Sequence, residues 1–176
     1  IQKSLAGRDV GLTLELGGKA ANIVYEDAAI DQAVEGVVNG IFFNQGHVCC
    51  AGSRLLLQES IHDEFVKKLE KRMQSLRVGN PLDKNTDIGA INSKEQLDKI
   101  TGLVNEGVED GGELFQTECE LPGNGFWFRP TLFTNVQPSY SIAREEIFGP
   151  VLTTLTFRTP EEAVEIANNT EYGLSA

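Results

Sequence analysis

Two adjacent thiols, Cys49 and Cys50, stand in the stretch Phe42–Arg54, with Gly46 before them and Gly52 after. A thiol beside small residues at the end of an element can be approached by an electrophile, and the thiolate is the reactive form. A free thiol titrates near about 8.5, so such a site must favour the anion. The plainer reading is a pair of small buried hydrophobes, the usual fate of free cysteine. A vicinal disulfide would be strained. His47 lies two residues before Cys49, which raises a thiol–imidazole dyad. Neighbouring loop side chains rarely meet that geometry, and no third orienting carboxylate is evident. Glu15 interrupts an apolar alternation beside Gly17-Gly18. It is either an exposed strand glutamate or a general base tuned by partial burial. Gly17 and Gly18 make a tight turn or admit a close backbone approach. Glu145-Glu146 reads as a solvated pair, and Phe148 as a core aromatic.

The bulk of the chain narrows the options. It has 176 residues, enough for one domain with a real core. A net charge of −11 argues against nucleic acid and against anionic membrane surfaces. No apolar run approaches a membrane span. Three cysteines, two of them adjacent, make a poor disulfide framework, so a reducing compartment is expected, cytoplasm or an organelle matrix. Two histidines without paired-cysteine spacing give no metal site. The chain opens on Ile1 and closes on Tyr172-Gly173-Leu174-Ser175-Ala176, which reads as an excised piece of a longer protein.

The elements that must position these residues alternate between strand and helix. Val10, Leu12, Leu14 and Leu16 have the period of a half-buried strand. Residues 22–25 form a second short strand. Ile30, Ala33, Val34, Val37, Val38, Ile41 and Phe42 recur at helical spacing, and that helix ends near Asn44-Gln45-Gly46. Leu55-Leu56-Leu57 is a strand. Ser60 and Asp63 resemble a capping box for a helix burying Phe65, Leu69, Met73 and Leu76, stopped at Gly79-Asn80-Pro81. Residues 79–92 read as loop. Ser93 and Gln96 offer a second capping box for a helix to about Glu109. Residues 113–116 are a strand, 117–125 a turn region and 126–133 extended chain. A strand at 151–157 precedes a helix opened by Thr159-Pro160, with Ala163, Ile166 and Ala167 inward. This alternation predicts an α/β fold, a mainly parallel twisted sheet flanked by helices on both faces.

Three segments together resemble the signatures of the NAD(P)-dependent aldehyde dehydrogenase superfamily: Leu14-Glu15-Leu16-Gly17-Gly18-Lys19, Phe43 to Arg54, and Glu145-Glu146-Ile147-Phe148-Gly149-Pro150. Glu15 and Cys49 lie 34 positions apart, and Cys49 and Glu146 97 apart. The resemblance runs from Leu5 to Ala176, and the wording from Val48 to Leu56 is similar to that of the sixteenth family of the superfamily. It implies a catalytic domain over residues 1–176, truncated at both ends and lacking its dinucleotide-binding domain. Cys49 falls on the nucleophile and Glu15 on the general base. Glu146 falls on the carboxylate that holds the nicotinamide ribose, Phe148 on the aromatic beside that ring, and Leu16 and Gly17 on backbone near the nicotinamide. Gln96 and Lys99 fall where a helix reaches the adenosine side. His47 stands where many members have glutamine. The implied activity is oxidation of a small-molecule aldehyde to a carboxylic acid with NAD or NADP, in a parent protein that forms a homo-oligomer. The rival readings are a non-catalytic interaction or structural module, and a thiol acyl hydrolase working through Cys49 without cofactor.

Overall fold

The computed structural model describes residues 1–176. In chain order the elements are α1 (Gln2–Leu5), β1 (Ala21–Val24), α2 (Ile30–Phe42), β2 (Arg54–Gln58), α3 (His62–Met73), α4 (Lys94–Glu109), β3 (Glu113–Gln116), β4 (Thr131–Thr134), α5 (Ser141–Arg144), β5 (Val151–Phe157) and α6 (Pro160–Asn168). One five-stranded sheet has the order β1-β2-β5-β4-β3. Its first four strands are parallel, and β3 joins β4 antiparallel at the far edge. Side chains alternate across a strand, so β2 sends Leu55 and Leu57 to one face and Leu56 to the other. On the first face α2 and α3 bury Val34, Val37, Val38, Ile41, Phe65, Leu69 and Met73 against the sheet. The opposite face takes Ile100 and Val104 of α4, Ile142 of α5, and Ala163 of α6. Helices therefore cover both faces of a mainly parallel sheet, as the alternation of elements requires. A fully buried aliphatic side chain contributes about 1.5–3 kcal/mol, so the α2 stripe alone fixes that helix to the sheet.

Two caps follow the sequence directly. The Ser93 hydroxyl accepts the Gln96 N–H at 3.1 Å, and the Thr159 hydroxyl accepts the Glu162 N–H. Two expectations fail. Residues 10–16 form no strand, and Val10, Leu12, Leu14 and Leu16 are all substantially exposed. Their alternation is real, but a strand exists only by pairing, and no edge of this sheet lies beside them. Ser60 caps nothing. Its hydroxyl donates to the Glu26 carboxylate at 2.8 Å, a short 3-10 turn occupies Glu59–Ile61, and α3 starts at His62 without a side-chain cap. Within the expected extended run 126–133, only Thr131 onward pairs as a strand.

Candidate active site

The connections that lead into β1, β2 and β5 meet at the amino ends of those parallel strands. Each carries one of the sequence segments singled out above. The first brings Gly17-Gly18, the second His47 to Gly52, and the third Glu146 to Gly149.

The second connection is shaped by conformations few residues adopt. After α2, Asn44 (φ 50°), Gln45 (φ 48°) and Gly46 (φ 76°) all take left-handed backbone. Each such non-glycine residue costs roughly 1–3 kcal/mol and persists only where its surroundings over-determine it. Here they do. The Gln45 side-chain oxygen accepts the Gly89 N–H at 3.2 Å, and the Asn44 amide donates to the His47 carbonyl at 3.1 Å. A side chain at Gly46 would collide with the carbonyl of Gly149. The turn then lifts Cys49 to a partly exposed position and Cys50 to an exposed one, both as free thiols. Neither is the small buried hydrophobe that the plainer reading expected.

Gly18 lies against the Cys49 carbonyl so closely that a β-carbon there would overlap it. The Gly18 N–H donates to Glu146 Oε1 at 3.0 Å, and a β-carbon on Gly17 would strike the other carboxylate oxygen. The glycine pair thus serves close approach, and what approaches it is Glu146 on one side and the thiol turn on the other. Glu146 is accordingly half-buried and engaged, not a freely solvated partner of Glu145.

The third connection is held by α4. Gln96 Nε2 donates to the carbonyls of Ile147 (2.8 Å) and Phe148 (3.0 Å), and Lys99 Nζ donates to the carbonyl of Glu146 (2.8 Å). Phe148 itself is left-handed at φ 55°. Gln96 therefore does not close the reciprocal box with Ser93. It turns outward to fix the Glu146–Phe148 backbone, and Lys99 does the same.

Glu15 and Leu16 remain exposed on irregular chain leading to Gly17. The partial burial expected of a base at Glu15 is not found, because no residue of this chain covers it. His47 makes no hydrogen bond with either neighbouring thiol. Its Nε2 accepts the Asn92 N–H at 3.3 Å, and its ring stacks on Phe148. The site encloses little space within the chain. A cavity of about 10 Å³ lies behind the thiol turn, between Gly18, Val48, Ala51 and Glu146. A hollow of about 960 Å³ opens elsewhere, between Val136–Pro138 and α6.

One charged residue was not anticipated. Lys19 is 2% exposed, and its ammonium nitrogen has no hydrogen-bond partner. Burial, reinforced by the Arg54 guanidinium, lowers its pKa to about 7, against the opposing pull of Glu145 and Glu146. The only sequence signal was its setting between a glycine pair and Ala20-Ala21. Arg54 is also buried but well satisfied. It donates to the Lys19 carbonyl (2.8 Å) and to the carbonyls of Ile166 (3.1 Å) and Ala167 (2.9 Å), closing the end of α6. No cluster of three metal-ligating side chains forms, and no helix is long and apolar enough to cross a membrane.

Comparison with known proteins gives the same answer along the whole chain. An aldehyde dehydrogenase of Emericella nidulans is 47% identical over 166 residues, which are 94% of this chain and 33% of the relative. Retinal dehydrogenase 2 of Taeniopygia guttata is also 47% identical, over 94% of this chain and 32% of its own length. Among solved structures, an NAD-dependent aldehyde dehydrogenase from Sinorhizobium meliloti superposes with a TM-score of 0.87 at 45% identity, over 92% of this chain and 32% of that one. A Staphylococcus aureus betaine aldehyde dehydrogenase, a point mutant in complex with NAD+, does so with a TM-score of 0.91 at 37% identity, over 98% and 36%. The chain spans about a third of the length of these relatives. With residues 1–176 matched by the model of the Aldehyde dehydrogenase family, the chain belongs to that family.

Proposed function

We propose that this chain is the catalytic domain of a protein that oxidises a small-molecule aldehyde to a carboxylic acid with NAD or NADP. The observation that carries the reading is the convergence of Cys49, Gly17-Gly18 and Glu146 at one edge of the sheet, in a family member whose relatives are aldehyde dehydrogenases.

An aldehyde carries no group that water can displace. The Cys49 thiolate adds to the carbonyl carbon and forms a thiohemiacetal. The bound dinucleotide would supply the acceptor for the hydride that leaves this carbon. A thioester on Cys49 remains, and cysteine suits both stages because it is strongly nucleophilic and a good leaving group. Glu15, exposed beside the glycine pair, takes a proton from the water that hydrolyses the thioester. The Cys49 N–H helps to hold the developing oxyanion, and one donor of this kind typically contributes about 100- to 1,000-fold in rate.

The residues present fit one end of a dinucleotide. Glu146 offers a carboxylate to ribose hydroxyls, Phe148 an aromatic ring beside the nicotinamide, and Leu16 and Gly17 backbone near that ring. The small cavity inside the chain cannot hold a substrate, so the rest of the pocket and the adenine and phosphate contacts are expected from residues outside this third of the protein. Gln96 and Lys99 serve the cofactor from the adenosine side or by holding the Glu146–Phe148 backbone, where their donors already lie. The parent protein is expected to be a homo-oligomer in a reducing compartment.

In the full-length protein, Cys49→Ala is expected to abolish NAD(P)+-dependent aldehyde oxidation, and Cys50→Ala to leave most of it. Oxidation surviving in the Cys49 variant would overturn the assignment. A folded, reduced wild type without turnover would favour a non-catalytic module. Ester hydrolysis lost with Cys49→Ala but indifferent to NAD would favour the hydrolase reading.

A further inference from the structure

The rings of His47 and Phe148 lie face to face, with centroids 5.2 Å apart and planes 8° from parallel. No other stacked pair occurs in the chain; the one further aromatic pair, Tyr25 with Phe157, meets edge-on at 70°. His47 is itself anchored, because Nε2 accepts the Asn92 N–H, which fixes that nitrogen as an acceptor and the ring as neutral. The surroundings keep it so. Burial lowers the His47 pKa, the Phe148 carbonyl opposes this more weakly, and no carboxylate or ammonium contributes. Phe148 needs such a support. Its backbone is left-handed, which disfavours a bulky residue, and its carbonyl is held by Gln96 while its ring has no polar handle.

We infer that His47 is a positioning residue: its neutral imidazole is the platform that sets the Phe148 ring, and so links the thiol turn to the cofactor side of the site. The inference rests on the reading of Phe148 given under Proposed function. Two features separate it from an ordinary packing contact. The two residues come from connections entering neighbouring strands, β2 and β5, and those connections already touch where Gly46 meets Gly149. His47 is also only two residues from Cys49, so its ring belongs to the same turn that carries the thiol.

A stacked aromatic pair typically contributes the equivalent of about 3- to 10-fold in an equilibrium beyond its buried area. The test is made in the full-length protein. His47→Gln retains an oxygen able to accept the Asn92 N–H but removes the ring, whereas His47→Phe retains a ring and removes the acceptor. His47→Gln is expected to raise KM for NAD+ about 3- to 10-fold with kcat little changed, and His47→Phe to restore most of the loss. A second readout is independent of turnover. In full-length protein carrying labelled histidine, the resonance that disappears in His47→Gln is that of His47. Phe148→Leu is then expected to move the His47 titration up toward its ordinary value. An unchanged KM in His47→Gln, equal damage in His47→Phe, or a His47 titration indifferent to Phe148→Leu would each overturn the inference. A wild type that fails to bind NAD+ would instead overturn the functional reading on which it rests.

Discussion

At the amino ends of β1, β2 and β5 the chain meets itself backbone to backbone, whereas at the carboxyl ends of the same strands it is tied by exposed side chains. On the amino side, Gly18 lies on the Cys49 carbonyl and Gly46 on that of Gly149. On the carboxyl side, Gln58 accepts the Glu26 N–H, Ser60 donates to Glu26, and Arg158 pairs with Glu59 at 2.9 Å. Contacts of the second kind involve long, mobile side chains in water, and each contributes little. Those of the first kind leave no room for adjustment, because neither backbone can rotate out of the way. A reacting thiol has to be held within a fraction of an ångström, so the unforgiving edge is the one suited to carry it.

Substitutions at the two edges should therefore differ sharply in effect. The largest is expected at Lys19. Its folded pKa of about 7 lies below the ordinary 10.5, so between these values the unfolded chain binds more protons than the folded one. Stability should rise with pH through that window, by up to about 5 kcal/mol, and the penalty should be fully in force below pH 7. Lys19→Met should flatten this dependence and raise stability at neutral pH; urea titrations from pH 6 to 10 would show it, and a wild type flat across that range would refute it. Next comes Gly46→Ala, which adds a side chain at positive φ against the Gly149 backbone. A loss of about 2–4 kcal/mol is expected, read as a fall in the urea midpoint. Ser93→Ala removes the cap of α4, the helix that grips Glu146 to Phe148, at about 1 kcal/mol. The smallest effect belongs to the carboxyl edge. Glu59→Gln should leave the melting transition indistinguishable from the wild type in about 1 M salt.

The same contrast explains what could be read from the sequence. Periodicity reports which face of an element is buried, so the α2 stripe and the leucines of β2 were legible, as was the Thr159-Pro160 start of α6. The resemblance of three segments to the family's signatures pointed to Cys49, Gly17 and Glu146, which the fold brings to one place. Periodicity carries no information about partners. Val10 to Leu16 alternate as a strand should, yet pair with nothing here. Ser60 has the chemistry of a cap but finds the Glu26 carboxylate first. Nor does periodicity show that the donors of Gln96 and Lys99 reach the carbonyls of a loop about 50 residues away. The burial of Lys19 had no pattern behind it, since one lysine beside two glycines looks the same whether a later helix covers it or not.

Arg54 adds a timing to these contacts. It joins the carbonyl of Lys19 to those of Ile166 and Ala167, the last of them 113 residues downstream. Gly18 likewise waits for Glu146, 128 residues later. At a ribosomal rate of about 5–20 residues per second, the thiol turn emerges several seconds before the chain that braces it. In that interval Cys49 is present without its architecture. A chain whose synthesis ends before Glu146 would carry the thiol turn with neither the Glu146 nor the Arg54 clasp able to close.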